Sequence, residues 1–512
     1  MSEQKTIWGH PRGLATLFFT EMWERFSYYG MRALLILFMA TAASEGGLGF
    51  DDQTSGAIYG LYTMGVYLLA LPGGWLADRL FGLKKSVWYG GIIIALGHFT
   101  MGIPGIAELL GMGGEGAEVT ALDTNAFFLG LILIVVGTGL LKPNISSIVG
   151  QLYAPGDAKR DAGFSIFYMG INIGAFAAPL LTSALADYNW HLGFGLAGFG
   201  MVLGLIQYKL TAGHLADVGN LELPSSDKEE NERSSLKKWT SAVVAILGLV
   251  LVMLFTGVIE VNASAIANVS GIIIAVIAFS YLAYVIFFGG LDKVDKKKVA
   301  AIGVVFLFSA VFWSGFEQAG STLNLFADRF TDRTVFGWEI PAGMFQSVNS
   351  TFIILFAPFF GAMWIWLAKR NLEPSSPLKF VFGLLGVAIG FFVMYFAAKI
   401  AASGDMAAPT WLIFTYLFHT WGELSLSPVG LSLTTKLAPK KYQGQMMGIW
   451  FLSVSLGNLL AGLIAGEASG GDAEALANMP DQYMTIVLTT FGAALLLLAI
   501  NKPLRKLMGD VH

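Results

Sequence analysis

Apolar runs of about 20 residues, the length that spans a bilayer core as a helix, recur along almost the whole chain with short polar or charged breaks between them. Their periodicity and length predict fourteen spans, at 14–41, 54–77, 85–105, 125–150, 162–187, 191–211, 239–258, 268–288, 299–328, 341–368, 378–401, 409–436, 443–466 and 482–503. Hydrocarbon offers no partner to a bare backbone amide, so such runs cross as helices. The pattern therefore predicts an all-α membrane protein. An even number of spans puts both termini on one side.

The breaks between the runs carry the organisation. The stretch "TAGHLADVGNLELPSSDKEENERSSLKK" at 211–238 is polar and charged and reads as a solvated cytoplasmic linker. A second break, "GGLDKVDKKK", follows the eighth span. Between them lies a plain apolar hairpin with Glu260 and Asn262 near its turn. The expected domains are an N-terminal six-helix bundle at 1–212, linkers and a two-helix insertion at 213–298, and a C-terminal six-helix bundle at 299–512. The two sixes look like a repeat. "APGDAKRDAGFSIFYMGINIG" follows span 4, and "APKKYQGQMMGIWFLSVSLG" follows the matching span of the second half. Parallel six-helix halves mark a major-facilitator fold with a midplane site between them.

Charge then orients the chain. Of 31 Lys and Arg, Arg25, Arg32 and Lys142 lie within spans, and Arg329, Arg333 and Lys399 fall at or near one face. The rest map to the opposite face, which the positive-inside rule makes cytoplasmic. Both termini are expected there. Only 13% of residues are charged and 55% are hydrophobic, against about a quarter charged in a soluble protein. A net charge of −4 suggests no nucleic-acid partner. With no cysteine, disulfide and thiolate chemistry are excluded. The start, "MSEQKTIWGHPRG", lacks the parts of a signal peptide, so the first span is expected to be retained.

Against this apolar background the ionisable residues stand out. In the first span Glu21, Glu24, Arg25, Tyr28 and Arg32 recur at helical spacing along one stripe. A charge at mid-bilayer costs at least about 2.5–3.5 kcal/mol, so such groups face a bundle interior or water and pair with one another. One reading is a salt bridge that pins the helix; the other is a functional stripe. Lys142 lies beside Pro143 in "GTGLLKPNIS", Glu317 in "FWSGFEQAGSTL" and Glu423 in "FHTWGELSLSPVG". Asn172 and Asn349 lie in two further spans. The cations are in the first half and the lone acids in the second, the distribution that switching charge pairs would have. His419, four residues before Glu423, reads either as a proton relay or as a hydrogen-bonded interior histidine. "GGWLADRLFGLKK" is a glycine-rich helix end whose Asp78 suits a gating role. No Walker-A sequence is present, so ATP is not the expected energy source. Neither a metal cluster nor a nucleophile–base set appears, so an enzyme is not expected.

At this point the residues carry a resemblance. "EMWERFSYYG", Glu21 to Gly30, resembles the ExxERFxYYG pattern of the proton-coupled oligopeptide transporter family. "GGWLADRLFG" and "FYMGINIGAF" are similar to that family's two other recurrent stretches. The resemblance covers essentially the whole chain, and the extra hairpin and the short loop between the spans at 378–401 and 409–436 are similar to bacterial members. It implies that Arg25, Arg32 and Lys142 meet a peptide's carboxylate and that Glu423, Asn172 and Asn349 receive its amino end. Tyr28, Tyr29, Tyr67 and Trp450 would line side-chain pockets, with Ser427 a further polar contact. Arg32 with Glu317 would form an outer gate, and Lys142 with Glu423 an inner one. Two positions depart from the pattern. Animal members have a histidine where this chain has Gly60, and some bacterial relatives have an acid where it has Phe316.

These readings converge on a proton-driven importer of di- and tripeptides, and of peptide-like drugs, in a bacterial cytoplasmic membrane. Protons are the coupling ion, no other cofactor is expected, and the monomer is the expected functional unit. The coupling stripe is Glu21, Glu24 and Arg25. A nitrate carrier or drug exporter of the same fold is the first alternative, but Glu423 would then have no amino group to meet. A non-transporting receptor is the second, and it would not need opposed charges in both halves.

Overall fold

The computed structural model describes residues 6–7, 9–109, 120–154, 157, 159–221, 224, 226–259, 262–468 and 473–509; Glu260 lies outside them. The apolar runs are helical throughout. In order they form α1 (Arg12–Ala40), α2 (Asp52–Leu68), α3 (Ala70–Leu76), α4 (Leu83–Leu109), α5 (Ala121–Gln151), α6 (Lys159–Ala186), α7 (Trp190–Thr211) and α8 (Asp227–Phe255). There follow α9 (Ala263–Phe288), α10 (Lys293–Phe316), α11 (Thr322–Phe330), α12 (Ser347–Lys369), α13 (Ser376–Ala402), α14 (Thr410–Leu437), α15 (Gln443–Ala468) and α16 (Ala473–Met508). Short 3-10 and π-helical turns lie between the helices, with one short antiparallel hairpin before α1 and another before α12. The hairpins pair β1 (Thr6–Ile7) with β2 (His10–Pro11), and β3 (Thr334–Val335) with β4 (Trp338–Glu339).

Among the described residues twelve helical segments are long and apolar enough to cross a membrane. In this count α2 and α3 run on as one span to Phe81, and α10 and α11 as another. The two remaining long helices are α1 and α14. They fall short because Glu21, Glu24, Arg25 and Arg32 interrupt the first, while Glu423 and a run of Ser and Thr dilute the second. Together these make fourteen spans, at the positions the hydropathy pattern predicts.

Helix starts follow local chemistry. The Thr120 hydroxyl accepts from the Asp123 N–H while the Asp123 carboxylate accepts from the Thr120 N–H, a capping box that opens α5. Asp51 takes the Thr54 N–H at 2.7 Å and the Thr54 hydroxyl at 2.8 Å, and those bonds hold its carboxyl below the usual range. The polar stretch at 211–238 differs from expectation in its second part. Ser226 accepts from the Glu229 N–H, and Asp227, Glu229 and Glu230 fill the first turn. Those acids favour a helix N-terminus, so α8 begins in the charged segment and runs unbroken into the apolar hairpin.

The chain forms two compact units. The first comprises Met1–Met31 and Leu68–Ile266, the second Arg32–Tyr67 and Ala267–His512. In the first unit, Leu14 and Leu17 of α1 are buried in a core with Ile94 of α4, Ile145 and Val149 of α5, Phe167 of α6 and Met201 of α7. Here α4 and α5 approach closely through paired glycines. A β-carbon on Gly137 would lie 2.6 Å from the Gly90 carbonyl oxygen. In the second unit the same device joins α2 to α15. A β-carbon on Gly60 would lie 2.9 Å from the Leu459 carbonyl oxygen and 3.3 Å from Gly462. Gly60 is therefore a packing position, where a histidine would force the two helices apart.

Candidate functional site

In the first unit the site residues gather on α1. Arg25 Nε lies 3.0 Å from Glu21 Oε1 and 2.5 Å from Glu24 Oε2. All three side chains are buried, Glu24 completely. Tyr28 places its ring 5.3 Å from the Arg25 guanidinium carbon and meets the Tyr29 ring edge-on. Lys142 of α5 is near enough for its charge to act on Glu21. Asn172 of α6 is buried and donates to the Tyr168 carbonyl at 2.9 Å. Two residues on, Gly174 lets α6 lie directly on α1, where a β-carbon would meet Phe26 N and Arg25 Cβ at 3.0 and 3.1 Å. The "GINIG" stretch thus fixes the backbone behind Arg25. Asp78 is exposed in a π-helical turn, Ala77–Phe81, that ends the α3 span.

The second unit assembles another buried charge system. Arg32 Nη2 lies 2.6 Å from Glu317 Oε2, and Arg32 Nε donates to the Tyr59 hydroxyl at 2.6 Å. Its Nη2 also approaches the Glu317 carbonyl oxygen at 3.4 Å. The backbone presents Glu317 by breaking: α10 ends at Phe316, a 3-10 turn covers Glu317–Gly320, and α11 resumes at Thr322. Gly320 is needed there because the Tyr59 ring and the Arg32 Nε occupy the space of a side chain. Asn349 of α12 donates its amide to Glu423 Oε2 at 3.2 Å and to the Thr420 hydroxyl at 2.9 Å. The charges of Glu317 and Arg32 act on Glu423 as well.

The structure brings together Glu21, Glu24, Arg25, Tyr28 and Lys142 in one unit, and Arg32, Glu317, Asn349 and Glu423 in the other. Trp450 is buried against Gly430 and Phe380 rather than against Glu423. Ser427 lies one turn beyond Glu423 on α14, and Tyr67 is half-buried near the end of α2. His419 is buried with its ring 5.2 Å from Phe391 and 6.3 Å from Phe316. Two neutral participants were missed in the sequence. Tyr59 and Thr420 are polar groups in spans but not ionised, so nothing marked them. The sequence likewise did not show an ion pair between Asp52, in the first turn of α2, and Arg329, in the last turn of α11. Its two contacts are 2.6 and 2.8 Å.

Comparison with known proteins decides the family. The model of the POT family matches residues 84–478, more than half of the chain. The chain belongs to the POT family. It is a multi-span membrane transporter and not an enzyme. Over 519 aligned residues it is 43% identical to the peptide transporter YePEPT of Yersinia enterocolitica, covering 99% of this chain and 97% of that protein. It is 35% identical to a di-/tripeptide transporter of Lactococcus lactis, covering 99% of both. A crystal structure of a POT peptide transporter in complex with sulfate superposes with a TM-score of 0.85 at 39% identity, covering 99% of this chain and 97% of that one.

Proposed function

We propose that this chain is a proton-coupled symporter that imports di- and tripeptides across a bacterial cytoplasmic membrane by alternating access. The observation that carries the reading is on α1: Arg25 clasped between Glu21 and Glu24, and Arg32 paired with Glu317. Buried ion pairs add little net stability, because desolvation offsets their attraction, while loss of one partner is costly. Two such systems on one helix suit a device that makes and breaks them.

The zwitterion sets the chemistry. Arg25, Arg32 and Lys142 would meet the peptide's carboxylate, with Tyr28 and Tyr29 beside them. Glu423, oriented by the Asn349 amide, would receive the ammonium, with Asn172 as a further polar contact. Tyr67, Ser427 and Trp450 would bear on side chains. Recognition through the two backbone charges tolerates many side chains, which fits relatives named for di- and tripeptides.

Coupling follows from competition. With both acids ionised, Arg25 is held by Glu21 and Glu24. A proton arriving on either carboxylate weakens that hold and releases the guanidinium toward the peptide carboxylate. Peptide binding and proton binding then strengthen each other, as linkage requires. Opening toward the periplasm would separate Arg32 from Glu317. Lys142, Glu423 and Asp78 would serve the cytoplasmic side, on which both termini lie by the Lys and Arg bias. The two-half arrangement with an inserted hairpin, acting as a monomer, completes the proposal.

Uptake of a labelled dipeptide into liposomes, with an imposed inward proton gradient, tests this function. Accumulation above the outside concentration, abolished by a protonophore and competed by varied di- and tripeptides, is expected. Uptake that ignores the gradient would overturn it.

A further inference from the structure

We propose that the β3–β4 hairpin is a lipid anchor whose aromatic tip seats in the headgroup region of the bilayer. Its turn consists of Phe336 and Gly337, with Val335 paired to Trp338. Both turn residues have positive φ, 51° and 81°, the signs of a type I′ turn. Asn or Asp usually occupies the first of these positions, because a bulky side chain is strained in the left-handed region. Here it is a phenylalanine, and it is 106% exposed; Trp338 beside it is 56% exposed. A strained, wholly exposed Phe serves neither the turn nor the protein's own packing, so its contact is external.

The surroundings select lipid as that contact. The hairpin joins two spans, following one that ends at Phe330 and preceding one that begins at Ala342. Strands of two residues cannot carry the tip far from the membrane surface. The span it leads into has only 6% of its apolar window buried inside the protein, so that span offers most of its apolar surface to surroundings outside the chain, and the tip precedes its start by only a few residues. Met406, next to the Ala407 that pairs with Thr331 at the hairpin's foot, is also exposed, at 53%.

The foot is rigid and polar. Arg333 bonds Glu339 at 2.8 Å and the Ile340 carbonyl at 2.9 Å, Asp332 N–H donates to the Ala407 carbonyl, and Ala407 N–H donates to the Phe330 carbonyl. Charges therefore sit at the foot and aromatic rings at the tip. Turn backbone cannot enter hydrocarbon without unpaired amides, whereas aromatic rings concentrate at the headgroup level. The tip accordingly stops at the interface.

The chain contains no cysteine, so the test needs no background substitutions. Phe336→Cys and Trp338→Cys, made singly in the full chain, would each carry a nitroxide in phosphatidylcholine–phosphatidylglycerol vesicles. Lys228→Cys, at a position whose side chain is 87% exposed in the charged start of α8, supplies the aqueous reference. The expected result is an oxygen-to-nickel accessibility ratio several-fold above that reference at both tip positions. A ratio equal to the reference overturns the proposal. So does spin–spin broadening that disappears on dilution with unlabelled protein, which would assign the tip to a second copy of the chain. The measurement involves no transport, so its outcome is independent of the proposed function.

Discussion

Arg32 grips Glu317 at 2.6 Å while its Nε donates to the hydroxyl of Tyr59 at the same distance, with all three residues buried. The guanidinium thereby ties α1, α2 and the broken α10–α11 span together at one point. Removing one partner leaves a buried charge unpaired, a cost of about 3–5 kcal/mol. Glu317→Gln is expected to shift the protein toward an outward-open state. Spin labels at Ser44→Cys and Asp332→Cys should move apart in that variant. Tyr59→Phe, which keeps the ion pair, should move them less. Unchanged distances in Glu317→Gln would make the pair purely structural.

Asp52 and Arg329 form a second contact within the same unit, at the other end of α11. The acid lies at a helix start and the base at a helix end, so each also complements its helix dipole. Two-pronged pairing of this kind is stronger than a lone surface bridge. Asp52→Asn and Arg329→Gln should each lower thermal stability in detergent. The double variant should cost less than their sum, with a coupling of about 1 kcal/mol or more. Additive losses would show that the two residues do not act as a pair.

Lys142 and Glu423 are assigned to opposite ends of the peptide zwitterion. Lys142→Ala and Glu423→Ala are each expected to abolish gradient-driven uptake. Asn349→Ala, which removes only the amide that orients Glu423, should reduce uptake without abolishing it. Wild-type uptake in either charge variant would remove that residue from the mechanism.

The spans were legible in the sequence because bilayer thickness converts apolar length directly into a helix. Glu21, Arg25, Lys142, Glu317 and Glu423 were legible because a charge inside an apolar run is costly and must have a use. The sequence carries no such mark for Tyr59 or Thr420, which are neutral and become partners only when distant helices meet. Arg329 was visible as a charge at a span end, but its partner Asp52 lies 277 residues away. The break after Phe316 contains no proline, and Gly320 alone did not reveal that the chain needed to turn there. The helical start of α8 was written in Ser226 and the acids behind it, but the charge of that stretch read as a solvated linker.

The central claim is that protonation of Glu21 or Glu24 releases Arg25 to the peptide. Proton-driven accumulation and peptide exchange separate the two parts of that claim, because exchange of peptide across the membrane needs no net proton movement. Glu21→Gln and Glu24→Gln, reconstituted in liposomes, should lose uphill uptake under an imposed pH gradient yet retain counterflow of labelled dipeptide. If both variants still concentrate peptide against its gradient, coupling does not reside in the α1 stripe and the account is wrong.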